Sequence, residues 1–64
     1  MSDRQITIAI DAMGGENSPY KVLRGIEIFQ QNYNNSFINL FGSKDKIEEE
    51  LINKKINLNN YKIF

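Results

Sequence analysis

Sixty-four residues are close to the smallest chain that buries a self-sufficient core, and without cysteine or histidine no disulfide, thiolate or imidazole can staple it. Eight acidic and eight basic residues cancel, which excludes recognition of nucleic acid or an anionic membrane by bulk charge. The polar residues 1–5, with Asp3 among them, and an apolar run limited to residues 6–10 do not fit a signal peptide or a membrane span, so a soluble chain is expected.

Residues 6–11 alternate isoleucine with the small or semi-apolar Thr7 and Ala9. That pattern predicts a strand covered on both faces, hence a central parallel strand. Gly14, Gly15, Asn17 and Ser18 then mark irregular backbone, and Pro19 suits the first turn of a helix. Val22, Ile26, Phe29 and Tyr33 recur at helical spacing, with Leu23 on the flank and Lys21, Arg24 and Glu27 mostly elsewhere. This predicts an amphipathic helix of about three turns. Asn32, Asn34, Asn35 and Ser36 end it, and residues 37–41 form a second short apolar strand closed by Gly42.

Ser43 is placed to accept hydrogen bonds from the free N–H groups of a second helix, with Asp45 in the first turn, where negative charge favours the helix dipole. Ile47 and Leu51 share one face of that helix and Ile52 lies to the side. Glu48, Glu49 and Glu50 read as a solvated surface, with Lys54 and Lys55 near the C-terminal end. Asn57, Asn59 and Asn60 make a polar connection, after which residues 61–64 begin a third strand.

Strands joined through helices are normally parallel with right-handed crossovers. The predicted fold class is therefore α/β: the β-loop-α-β-α-β start of an open, mostly parallel, Rossmann-like three-layer sandwich with helices on both faces. Residues 1–64 then form the N-terminal part of a single α/β domain, and the expectation is a longer chain truncated in its third strand.

In such sheets ligands gather beyond the carboxyl ends of the strands, which makes the loop after residue 11 the leading site. Gly14 and Gly15 permit positive φ and close backbone approach, and N–H groups at the start of the next helix point toward an anion such as phosphate. The plain alternative is a tight turn. Asp11 and Glu16 bring negative charge to the loop. They fit orientation of a substrate hydroxyl or amide, magnesium binding, or pairing with a distant cation. They equally fit bracing, with Asp11 accepting turn N–H groups and Glu16 favouring the helix N-terminus. Met13 fits a gap in the core, and Asn17 and Ser18 fit helix caps. Neither G-x-G-x-x-G nor G-x-x-x-x-G-K-[ST] is present, and no nucleophile–imidazole pair is possible without histidine.

The run Asp11-Ala12-Met13-Gly14-Gly15, after an isoleucine-rich strand and before Pro19, resembles the amino-terminal motif of the bacterial phosphate acyltransferases of the PlsX type. Gly25 falls where that family has a small residue in its first helix. Residues 38–42 resemble its second strand and turn, and residues 43–51 the short helix that follows. Glu16 departs from the pattern, since the family usually has aspartate there. The resemblance implies transfer of a fatty acyl group from acyl carrier protein to inorganic phosphate, giving acyl phosphate for phospholipid synthesis, with no cofactor. It assigns Asp11, Met13, Gly14, Gly15, Glu16 and Asn17 to a substrate- or phosphate-binding loop and leaves the catalytic residues unassigned. It also implies a cytoplasmic homodimer able to associate peripherally with membranes. Two other readings of the residues stay open. One is a non-catalytic binding or dimerisation module that uses an exposed apolar sheet face. The other is an enzyme of the same sheet type acting on a nucleotide or sugar phosphate.

Overall fold

The computed structural model describes residues 5–64; of the polar start read at residues 1–5, all but Gln5 lies outside them. The element order is β1 (Ile6–Asp11), α1 (Tyr20–Asn32), β2 (Ser36–Phe41), α2 (Lys44–Asn53) and β3 (Tyr61–Ile63). All three strands are parallel in the order β1-β2-β3, with Ile8 opposite Ile38 and Leu40 opposite Ile63. This is the open parallel α/β arrangement expected, with two changes: β1 changes position in the sheet, and both helices cover one face where helices on both faces were expected. β1 is an edge strand here and β2 is central, and Thr7 and Ala9 are exposed on the face that neither helix covers.

Both helices lie on the same face. Each crossover steps one strand in the same direction, and right-handed crossovers in one direction deliver their helices to one side. Leu23 and Ile26 of α1, Ile47 of α2, and Ile38 and Leu40 of β2 accordingly share one core, completed by Ala12 and Ile56. α1 and α2 also touch each other. Burial of each large side chain in that core contributes roughly 1.5–3 kcal/mol. By strand alternation, the opposite face carries Thr7, Ala9, Phe37, Asn39, Phe41 and Lys62. Phe64 stacks on Phe41 at 4.9 Å between ring centroids, and both rings stay about half exposed.

The apolar stripe of α1 is rotated from its predicted line. Leu23 and Ile26 are buried, Phe29 is exposed, and the third buried position belongs to Gln30. α2 follows its predicted pattern more closely. Ser43 is the N-cap and its side chain accepts the Lys46 N–H, Asp45 lies in the first turn, Ile47 is buried and Ile52 is 75% exposed. Glu50 departs from the solvated surface assigned to it, because it is half-buried and its Oε1 has no hydrogen-bond partner among the described residues. The helix ends in a Schellman motif built on Lys55 at φ 53°, with Lys55 N–H donating to Ile52 (3.3 Å) and Ile56 N–H to Leu51 (2.9 Å). That geometry folds Ile56 back into the core.

A polar stripe on α1 holds the connection that follows. Arg24 Nη2 donates to the Lys54 carbonyl at 2.9 Å, and Glu27 Oε2 accepts the Asn57 N–H at 2.9 Å. Gln30 binds Asn59 on both sides, Nε2 donating to its carbonyl at 2.5 Å and Oε1 accepting its N–H at 2.9 Å. Arg24 and Glu27 are themselves paired at 2.5 Å. The Asn57 N–H and the Arg24 guanidinium hold the Glu27 carboxyl below the usual carboxylate range, and Glu27 raises Arg24 in turn. A connection without strand pairing thereby has backbone groups satisfied by side chains, and β3 is delivered in register.

Gly42 closes β2 against Met13. A Cβ at Gly42 would lie 2.6 Å from Met13 Cγ and 3.4 Å from Ile47 Cδ1, so the first loop packs on the second only because this position has no side chain.

Gln30→Met keeps the volume but strands both Asn59 backbone groups, so it is expected to lower unfolding stability by about 1–3 kcal/mol in urea titrations. The stabilisation from Glu27, whose folded pKa is depressed, is present above the ordinary carboxylate value and is lost as pH falls through the folded one. Stability should therefore decline as pH falls below about 4, and Glu27→Gln should flatten that decline. Gly42→Ala should cost about 1–3 kcal/mol by overpacking, with a non-additive recovery in the Gly42→Ala, Met13→Ala double variant.

Candidate functional site

The carboxyl ends of β1 and β2 lie side by side, with Asp11 opposite Phe41. Ala12 extends the pairing by donating its N–H to the Phe41 carbonyl at 3.0 Å, and it is fully buried. The chain then turns. Met13 N–H donates to Asp11 Oδ1 at 3.0 Å, so the Asp11 side chain closes an Asx-type turn on its own backbone. Gly15 follows at φ 84° and Asn17 at φ 63°. The Ser18 hydroxyl donates to the Gly14 carbonyl and pulls the loop tight.

α1 starts without a side-chain cap. Pro19 is its N-cap, so Asn17 and Ser18 are not the side-chain caps expected of them. Asn17 acts through its backbone instead, its carbonyl accepting the Lys21 N–H at 3.0 Å.

Between the loop and the first turn of α1 lies an open cleft of about 430 Å³, lined by Gly14, Gly15, Glu16, Ser18, Lys21 and Val22. The structure thus separates the six loop residues singled out from the sequence. Gly14, Gly15 and Glu16 form a wall of the cleft. Asp11 braces the turn, Met13 packs against the core, and Asn17 shapes the backbone. Lys21 is the addition. Helical spacing alone puts it on the helix surface, and the signal available was its position two residues after Pro19, inside the turn that faces the loop.

The N–H groups of Gly15 and Glu16 make no hydrogen bond to any described residue, whereas Gly14 follows the turn over Ala12 and Met13 that its own N–H closes. Together with the α1 N-terminus and the Lys21 ammonium they offer donors and positive potential to an anion. Glu16 opposes them, but it is exposed and screened by solvent. A Cβ at Gly15 would meet nothing within 4 Å, so glycine is favoured there by its φ and not by space. Among the described residues no group of three aspartate, glutamate, histidine or cysteine side chains is placed to hold a metal ion, and no helix is long and apolar enough to cross a membrane.

The chain is 47% identical over 47 residues to the phosphate acyltransferase of Oenococcus oeni, covering 73% of this chain and 14% of that protein. It is 49% identical over 43 residues to the phosphate acyltransferase of Pelagibacter ubique, covering 67% and 13%. It is 43% identical over 47 residues to that of Caldicellulosiruptor bescii, covering 73% and 14%. The chain thus spans about one seventh of the length of the curated relatives it matches. No family model matches it, and no solved structure does. By sequence, the chain is similar to one part of the phosphate acyltransferases, at 43–49% identity over the matched residues.

Proposed function

We propose that this chain supplies the glycine-bearing phosphate loop of an acyltransferase that moves a fatty acyl group from acyl carrier protein to inorganic phosphate, giving acyl phosphate for phospholipid synthesis. The observation that carries this reading is the 43–49% identity to proteins named phosphate acyltransferase. The loop contributes physical support, because its wall presents unpaired N–H groups and Lys21 beside a cleft large enough for a phosphate ion.

In the proposed reaction a phosphate oxygen bonds to the thioester carbonyl carbon and the negative charge moves to the carbonyl oxygen. The C–S bond then breaks and the thiol takes the proton that phosphate gives up. Two charged species need stabilising, the incoming phosphate and the oxyanion, and neutral backbone donors do so without forming a covalent intermediate. Lys21 and the Gly15 and Glu16 N–H groups hold phosphate in this scheme, while Asp11 and Met13 keep the loop in shape. The general base and the groups that bind the acyl chain are left to other residues. The protein is proposed to act as a cytoplasmic homodimer in peripheral contact with the membrane that uses its product.

A second reading rests on a different observation. The sheet face bearing Phe37, Phe41 and Phe64 is uncovered by either helix, which suits a non-catalytic module that binds a partner or dimerises.

The test is a titration of the isotopically labelled chain with inorganic phosphate, followed by amide chemical shifts. The Gly14, Gly15 and Glu16 amides are expected to move saturably, and Lys21→Ala to weaken the response about tenfold. Gly15→Val, strained at a positive φ, should abolish it, while Gly15→Asn, which tolerates that backbone, should retain it. An unmoved loop in millimolar phosphate would leave the aromatic-face reading.

A further inference from the structure

Tyr20 opens α1, and two cations, one on α1 and one just past the end of α2, converge on its ring. The Arg24 guanidinium carbon lies 5.7 Å from the ring centroid and the Lys54 Nζ 5.1 Å. The Arg24 side chain also hydrogen-bonds the Lys54 carbonyl, which ties the end of α2 to the start of α1. Lys55, exposed and at positive φ, continues the same corner.

Glu27 offsets one positive charge by pairing with Arg24, and that is the one ion pair among the described residues. Lys54 and Lys55 keep uncompensated charge. The acidic side chains Asp45, Glu48 and Glu49 sit earlier on α2, and Glu50, one turn before Lys54, is half-buried, so the exposed side of this corner is carried by Lys54 and Lys55. Cations over an aromatic ring lose less freedom on binding than solvated lysines, because the ring already restricts them. An aromatic centre with a charged rim is the composition of a recognition surface, in which charge sets encounter rate and salt sensitivity.

We propose that the corner formed by Tyr20, Arg24, Lys54 and Lys55 is a docking surface for a carboxylate-rich protein. The partner's carboxylates lie against Lys54, Lys55 and the remaining guanidinium donors of Arg24, and Tyr20 supplies the apolar contact between them. Acyl carrier protein is the probe, a choice that rests on the proposed acyltransferase reading.

The experiment titrates the labelled chain with acyl carrier protein at 50 and 300 mM NaCl and reads amide shifts. Shifts centred on Tyr20, Arg24, Lys54 and Lys55, with affinity falling about tenfold or more between the two salt concentrations, are expected. Lys54→Glu with Lys55→Glu should weaken binding at least tenfold while preserving the phosphate response of the Gly15 amide, which reports that the fold and loop are intact. Tyr20→Leu should weaken it to a lesser degree. No binding at 50 mM salt, shifts centred on Phe37 and Phe41, or charge-reversal variants that bind as before would overturn the proposal. A loop that answers phosphate while the corner ignores the carrier would sink this inference alone. A corner that binds the carrier while the loop ignores phosphate would sink the phosphate-loop reading alone.

Discussion

The architecture depends on a stripe of three polar residues on one helix. Arg24, Glu27 and Gln30 are spaced three apart on α1 and meet the backbone at Lys54, Asn57 and Asn59. The connection they hold has only Ile56 and Leu58 to pack against the core, and β3 is three residues long. Such a strand has too little pairing to choose its own register. Side-chain hydrogen bonds supply what the missing apolar surface does not, and β3 falls into place beside β2 with Asn60 accepting the Ile38 N–H at 2.9 Å.

The same sharing of contacts shapes the site end of the sheet. Met13 fills space that a side chain at Gly42 would take, so the turn after β2 and the loop after β1 share one packing contact. Asp11 is engaged in holding the turn, and Ser18 in drawing Gly14 toward the helix. What is left facing solvent is backbone N–H, Glu16 and Lys21. A loop with neutral donors and a single cation suits an anion that must be held and released. The proposed transfer to phosphate fits that balance, and the similarity to phosphate acyltransferases supplies the chemical direction.

The two faces of the sheet differ in a way that bears on both functional readings. One is buried by α1 and α2, and the other carries Phe37, Phe41 and Phe64 with Lys62 Nζ 5.2 Å from the Phe64 ring centroid. Parallel sheets are ordinarily covered on both faces. The aromatic face is therefore a surface of different character from the basic corner at Tyr20, the first governed by apolar area and the second by charge.

Much of this was legible in the residues alone. Alternation in residues 6–11, the helix-start signal at Ser43 and Asp45, and the asparagine-rich breaks at 32–36 and 57–60 specify the element order, because local backbone preference and periodicity act within a few residues. The five-residue glycine motif marked the loop and its family resemblance. Tertiary structure decided the rest. Whether β1 is central or at an edge depends on which strands are its neighbours, and the side on which the helices lie depends on the direction of each crossover. Neither is encoded locally. The burial of Gln30 in place of Phe29 required knowing that Asn59 would sit opposite with both backbone groups unpaired. Lys21 lines the cleft and Asp11 accepts the Met13 N–H beside it, because a side chain's role in a loop is set by the partner it meets in space. Composition specified the strands, helices and loop, and long-range packing determined which of their side chains were left for chemistry.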